Sequence, residues 1–213
     1  MSKRLGNAVG LFETIEKHGS DPLRWYMITN AAPWDNLKFD IEGVEESRRK
    51  YFGTLYNTYS FFTLYANVDK FNGKEPEIAL EDRPEIDRWV ISLLNSLVKE
   101  VDEAYTNYEP MRAGRAIANF VNDNLSNWYV RLNRKRFWGG EMTDDKLSAY
   151  QTLYKCLLTV SKLMAPIAPF YADKLYLDLN SVTGHEDFES VHLADFPITN
   201  EAVIDKVLEE QMY

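Results

Sequence analysis

The stretch NDNLSNWYVRLNRKRFWGG, residues 122–140, holds the side chains of this 213-residue chain best suited to chemistry. Between Met111 and Trp138 stand Arg112, Arg115, Arg131, Arg134, Lys135 and Arg136 against a single acid, Asp123, in a chain of net charge −9. The positive charge is therefore focused. A guanidinium pairs a phosphate through two parallel N–H bonds. Arg131, Arg134 and Lys135 lie three or four residues apart, so in a helix they share a face. Trp128, Tyr129, Phe137 and Trp138 interleave with them, and an aromatic face stacks an unpaired base at about 1–3 kcal/mol. Asn122, Asn124, Asn127 and Asn133 add both donors and acceptors. Recognition of single-stranded or looped RNA needs such a mixture. A plainer reading stands beside it, in which the arginines form a solvated face or pair with acids of neighbouring helices. Trp128 shares helical spacing with Leu125 and Leu132 and is assigned with them to a core, whereas Phe137 and Trp138, at the helix exit, are the stacking candidates.

Helical periodicity supplies the elements that must position these groups. Ile86, Val90, Leu93, Leu94, Leu97, Val98, Val101 and Tyr105 recur at three- and four-residue steps, behind a start signal in which Asp82 is the N-cap, Pro84 follows and Glu85 stands three residues on. The basic helix opens at Pro110 and stops at Gly139-Gly140. Thr143 caps a third helix carrying Leu147, Tyr150, Leu153, Leu157 and Met164. Pro166 and Pro169 break the chain before a last short helix through Tyr176. Upstream, residues 41–67 read as a long aromatic-rich helix. Four long helices joined by loops imply a mainly α fold, a helical bundle. The residues before Asp40 differ: two short helices, then Pro33 and a brief extended LKF at 37–39, read as a small α/β appendage. EDRPEIDR reads as a solvated helix start, 181–197 as irregular, and 201–213 as a helix cut off in mid-course.

Composition excludes several chemistries. The chain is 45% hydrophobic and 27% charged, enough to bury a core and too apolar for a disordered tail. The acidic balance argues against a general coat of phosphate-binding residues, yet leaves room for a local basic site, because exposed charges act only within about 8–10 Å. With one cysteine, Cys156, neither an internal disulfide framework nor a multi-cysteine zinc site is available, and its apolar helical neighbours make it a buried thiol. The histidines, His18, His185 and His192, show no metal-ligand spacing, so no metal site is expected. No run approaches a membrane span and no signal peptide is recognised, so a cytoplasmic setting and no membrane partner are expected.

The ordered set MSKRLGN, SDPLRWYM, PWDNLKFD, NTYSFFTLYANVD, PEIDRWVISLLNSL, LSNWYVRLNRKRFW, MAPIAPFYADKLY and ESVHLADFP resembles the carboxy-terminal part of class I aminoacyl-tRNA synthetases, most of all those of the isoleucyl type. The resemblance runs from residue 1 to about 197. It implies that Met1-Ser2-Lys3-Arg4 belongs to the family's Lys-Met-Ser-Lys-Ser-type loop, which closes over ATP. The first lysine is missing and Arg4 replaces the final serine. The catalytic role of that loop, neutralising charge as pyrophosphate leaves, carries over to Lys3 on the ATP side. The nucleotide-binding fold with its His-Ile-Gly-His motif and the editing domain are not seen, so this chain by itself is expected to catalyse nothing.

By the same resemblance, residues 1–40 are the loop remnant and a stem-contact segment, 41–197 a helical anticodon-binding domain, and 198–213 the start of a further helical region. The expected partners are isoleucine tRNA and the remainder of the same polypeptide, with the catalytic and editing domains, in a monomer. ATP and Mg serve the parent enzyme, which joins isoleucine to its tRNA, and no cofactor is expected in this part. The expected RNA-binding residues are Arg131, Arg134, Lys135 and Arg136, then Arg112 and Arg115, with Phe137 and Trp138 stacking. The isoleucyl assignment rests on WYVRLNRKRFW, since valyl relatives tend to carry an acid where Arg131 stands. A valyl-type anticodon-binding domain, or a helical protein-interaction bundle without RNA binding, is the alternative.

Overall fold

The computed structural model describes residues 9–37 and 39–212, and among them every regular element is helical. In chain order these are α1 (Leu11–His18), α2 (Ser20–Asn30), α3 (Ile41–Ser47), α4 (Gly53–Asp69), α5 (Glu85–Thr106), α6 (Pro110–Asn119), α7 (Arg131–Phe137), α8 (Asp144–Met164), α9 (Pro169–Thr183) and α10 (Lys206–Gln211). A π-helical turn, Arg48–Phe52, joins α3 to α4 without a break, and an 11-residue π-helical stretch, Phe120–Val130, joins α6 to α7. The basic segment is thus one helix from Pro110 to Phe137.

The ends of these helices follow local chemistry. Pro110 and Pro169 stand in the first turns of α6 and α9, where a missing N–H costs nothing. The Thr143 hydroxyl accepts a hydrogen bond from the Lys146 N–H at 3.2 Å and so caps α8. Helix α7 stops before Gly139 and Gly140, whose φ of 59° and 79° lie in the left-handed region. One expected start is displaced. Helix α5 begins at Glu85 rather than behind Asp82, because Arg83 precedes a proline and is held extended at φ −76°, ψ 150°. Helix α9 runs on to Thr183, past the expected end at Tyr176, and Gly184 terminates it at φ 62°.

The core lies between α4, α5, the long helix α6–α7 and α8, filled by the fully buried Leu55, Leu94, Ile117, Leu125, Leu153 and Leu157. An aromatic layer closes one end: Phe137 meets Phe61 and Tyr150 edge to face with ring centroids 5.1 and 5.0 Å apart, and Phe71 stacks on Tyr150 at 5.1 Å. Cys156 is buried here as expected, and burial pushes its thiol pKa up. Helix α10 docks on α5 through Glu209, which accepts from Ser92 Oγ at 2.6 Å, Ser96 Oγ at 2.7 Å and Lys206 Nζ at 2.7 Å. Burial alone would raise the pKa of that carboxyl, but those donors hold it below the ordinary value.

The amino-terminal segment is not an α/β appendage among the described residues. No strand is present among the described residues, and Phe39 packs edge to face on Tyr26, 5.7 Å between centroids. Helix α2 is tied to the bundle through Trp25, Arg24 and Asp21. Trp25 stacks on Tyr51 at 4.0 Å, Arg24 Nε donates to Ile167 O at 2.9 Å, and Asp21 accepts from the Tyr171 N–H at 2.6 Å, capping α9 from another helix. A glycine permits the close crossing of α2 and α6. A Cβ built on Gly114 lies 2.5 Å from Thr29 Cγ2 and 3.2 Å from Ile167 Cδ1. Gly114→Ala is therefore expected to destabilise the chain by about 1–3 kcal/mol, overpacking outweighing the gain of about 1 kcal/mol in helix propensity. A thermal melt of the variant checks this, and an unchanged or raised midpoint would show that the crossing yields freely.

Candidate nucleic-acid interface

The long helix α6–α7 sorts the six cations into three groups. The first is structural. Arg136 Nη1 and Nη2 donate to Asp87 Oδ1 and Oδ2 at 2.6 and 2.9 Å, a bidentate pair. Asp87, on the first turn of α5, is fully buried and accepts also from Tyr129 Oη and Ser148 Oγ, each at 2.8 Å. Arg136 reaches further to the Asp145 carbonyl at 2.7 Å and to Asn133 Oδ1 at 3.0 Å. Burial opposes the arginine's charge, yet the bonds and charge of Asp87 carry its pKa above the ordinary value. Arg136 is thus withdrawn from the surface to close a buried knot between α5, α7 and α8. Phe137 is also displaced from its expected role: it is 0% exposed in the aromatic layer and offers no face to a base.

The second group is engaged at the surface. Arg112 meets Glu109, Glu103 and Glu100 at 3.2, 3.3 and 3.4 Å, three carboxylates to one guanidinium, and they hold its charge firmly. Arg115 Nε and Nη2 donate to the carbonyls of Thr29 and Asn30 at 2.8 and 3.2 Å, tying α6 to the end of α2. Both groups already have partners that a phosphate would have to displace.

The third group is free for a ligand. Arg131, Arg134 and Lys135 are exposed on α7 and share no ion pair or hydrogen bond among the described residues. Trp138, 53% exposed, lies three residues beyond Lys135 at the helix exit, and Gly139 and Gly140 beside it leave open space. Three unpaired cations and one exposed indole therefore collect at the carboxy-terminal end of the long helix, where the helix dipole is negative and favours cations. Lys3, the expected catalytic residue, lies outside the described residues.

Two core assignments shift for one reason. Leu132, expected inside, is 53% exposed, and Trp128 is only partly buried. One line of buried positions instead steps by four, Ala113, Ile117, Val121, Leu125, Tyr129, Asn133 and Phe137, with Gly114, Phe120 and Val130 buried beside it. A four-residue step overshoots a full turn of α-helix by about 40°, so six such steps would carry the line about two-thirds of the way round the cylinder. In the wider π turn, closed by i→i+5 bonds, the same step falls short of a full turn. The two errors offset, and the line stays on one face.

The family described as the anticodon-binding domain of tRNA ligase matches residues 87–213. The chain belongs to that family. The chain is 72% identical over 212 residues to isoleucine–tRNA ligase of Bacteroides fragilis, 68% to that of Porphyromonas gingivalis and 44% to that of Clostridium tetani. Each alignment takes in the whole chain but only 19%, 18% and 20% of those relatives, so the chain spans about a fifth of their length. Among solved structures, the LeuRS–tRNA–LeuAMS ternary complex of Agrobacterium radiobacter K84 matches with a TM-score of 0.66, covering 96% of this chain and 23% of that one. At 18% identity that likeness shows the fold alone.

Sequence reasoning missed the hub of the domain. Asp87 and Arg83 sit in EDRPEIDR, read as solvated, yet Asp87 is 0% and Arg83 6% exposed. Arg83 donates to Ile78 O at 2.9 Å and to Thr152 Oγ1 at 3.0 Å, fastening the loop before α5 onto α8. An alternating charge pattern carries no signal that two of its members turn inward. Trp34 was also passed over; it is 78% exposed on the loop after α2 and lines a 990 Å³ groove between α5, α6 and α10. Among the described residues no helix is long and apolar enough to cross a membrane, and no cluster of three or more His, Cys, Asp or Glu could hold a metal ion.

Proposed function

We propose that this domain binds the anticodon arm of isoleucine tRNA through Arg131, Arg134, Lys135 and Trp138, as part of a cytoplasmic, monomeric isoleucine–tRNA ligase. One observation carries the reading: of the six cations on the long helix, the three without a partner among the described residues are exposed together on one face with an exposed tryptophan, in a chain of the anticodon-binding family. Arginine and lysine neutralise phosphates, and the indole stacks an unpaired base. Isoleucine as the amino acid is supported by the 72% identity to the Bacteroides fragilis enzyme. Joining isoleucine to tRNA with ATP and Mg is the work of the remainder of the polypeptide, and the described residues supply no step of it. Residues 1–40 serve as the signature-loop remnant and stem-contact segment, 41–197 as the anticodon-binding domain and 198–213 as the start of a further helical region.

Titration of the chain with a labelled isoleucine anticodon stem-loop, against a valine stem-loop, tests this. Binding that prefers the isoleucine loop at every salt concentration is expected. Equal binding of both loops would remove the isoleucine assignment, and no binding at low salt would favour a protein-interaction bundle.

A further inference from the structure

The π-helical stretch that keeps the buried line straight also straightens the opposite face. Arg115, Asn119, Asp123, Asn127, Arg131 and Lys135 step by four along the long helix, and every one of them is exposed. Asn119, Asp123, Asn127, Arg131 and Lys135 have no hydrogen-bond or ion-pair partner among the described residues, while Arg115 anchors its end to α2. In a pure α-helix this row would spiral away from the basic end, as the 40° overshoot dictates. Here it forms a straight polar track that leads into Arg131 and Lys135.

The composition of the track selects its ligand. A row built only to follow phosphates would not place the Asp123 carboxylate in its middle, because two like charges at close range repel. A carboxylate accepts hydrogen bonds and cannot donate them, so its partners are base amino or imino N–H groups or ribose 2′-hydroxyls. The asparagines on either side of it both donate and accept. Resting on the tRNA-binding reading above, we infer that Asn119, Asp123 and Asn127 contact base edges and 2′-hydroxyls of an unpaired RNA strand, whose backbone is held at one end by Arg131 and Lys135. The π-helical stretch is the device that brings the two halves of this surface into line.

Asp123 gives the sharpest test. If the helix attracted RNA by charge alone, Asp123→Ala would tighten binding, since it removes an anion from the path of a polyanion. The inference predicts the reverse. In a stem-loop titration, Asp123→Ala, Asn119→Ala and Asn127→Ala each weaken binding by roughly three- to tenfold, the worth of one net hydrogen bond. They leave the slope of log K against log salt unchanged, because no phosphate contact is lost. On the unaltered protein, a stem-loop with a 2′-deoxy loop binds more weakly, a readout that needs no variant. Tighter binding by Asp123→Ala, with the asparagine variants and the 2′-deoxy loop neutral, overturns the inference while tRNA binding stands. If the unaltered chain binds no stem-loop, the tRNA-binding reading falls and the inference with it.

Discussion

Replacing Arg136 with alanine is expected to lower the stability of the chain by about 3–5 kcal/mol and its melting temperature by on the order of 10 °C for a chain of this size. The reason is the partner left behind. Asp87 is fully buried, and its bidentate bonds to Arg136 are the contacts that neutralise its charge. Tyr129 and Ser148 would still donate to it, but neutral hydroxyls do not compensate a buried charge. Asp87→Ala should be costly too, since it strands Arg136, though Arg136 retains Asp145 at 3.0 Å and partial contact with water. The double variant should be less damaging than the sum of the two, because each single change leaves an unpaired ion that the double change removes. Arg112→Ala is the control. Its three carboxylates lie at the surface, where water and salt screen the pairing and its loss costs little. Thermal melts of the four proteins check this, and an Arg136→Ala midpoint matching that of Arg112→Ala would show that Arg136 is not the keystone described.

The second large effect concerns binding. Replacing Arg131, Arg134 and Lys135 together by alanine should weaken stem-loop binding by roughly a hundredfold or more at low salt, through the loss of three charge-assisted contacts. Folding should be unaffected, with a stability change of roughly 0.5 kcal/mol or less, because none of the three touches another described residue through an ion pair or hydrogen bond. The contrast between the two experiments is the point. Four cations in sequence, Arg131 to Arg136, divide into one that holds the fold and three that face outward, so one variant should destabilise the domain and the other should release RNA with the fold unchanged.

Much of this architecture was legible in the residues alone. Apolar spacing gave the four long helices, Thr143 and Pro110 their starts, and the glycine pair the end of α7. The exposure of Arg131, Arg134 and Lys135 on one face followed from three- and four-residue spacing. What could not be read were places where tertiary contacts decide. Arg136 is chemically like Arg134, and only the approach of Asp87 from α5 distinguishes them. Leu132 and Trp128 were misplaced because 3.6-residue periodicity was assumed across Phe120–Val130, where the helix is wider, and Phe137 because its place at the helix exit does not reveal the aromatic layer that buries it. No residue in FVNDNLSNWYV marks a π turn in sequence, so both the buried line and the straight polar track emerge only in three dimensions. The LKF segment reads as extended by propensity, but with no strand among the described residues to pair with, Phe39 packs on Tyr26.

The most direct test of the central claim is the salt dependence of stem-loop binding, measured side by side for the unaltered chain and the Arg131→Ala, Arg134→Ala, Lys135→Ala triple variant. Each phosphate contact contributes about −0.7 to the slope of log K against log salt for single strands. The account predicts that the triple variant's slope is shallower by about 2, with affinity for the isoleucine loop lost in parallel. Equal slopes in a folded triple variant would contradict it, and would place the RNA-binding surface elsewhere on the domain.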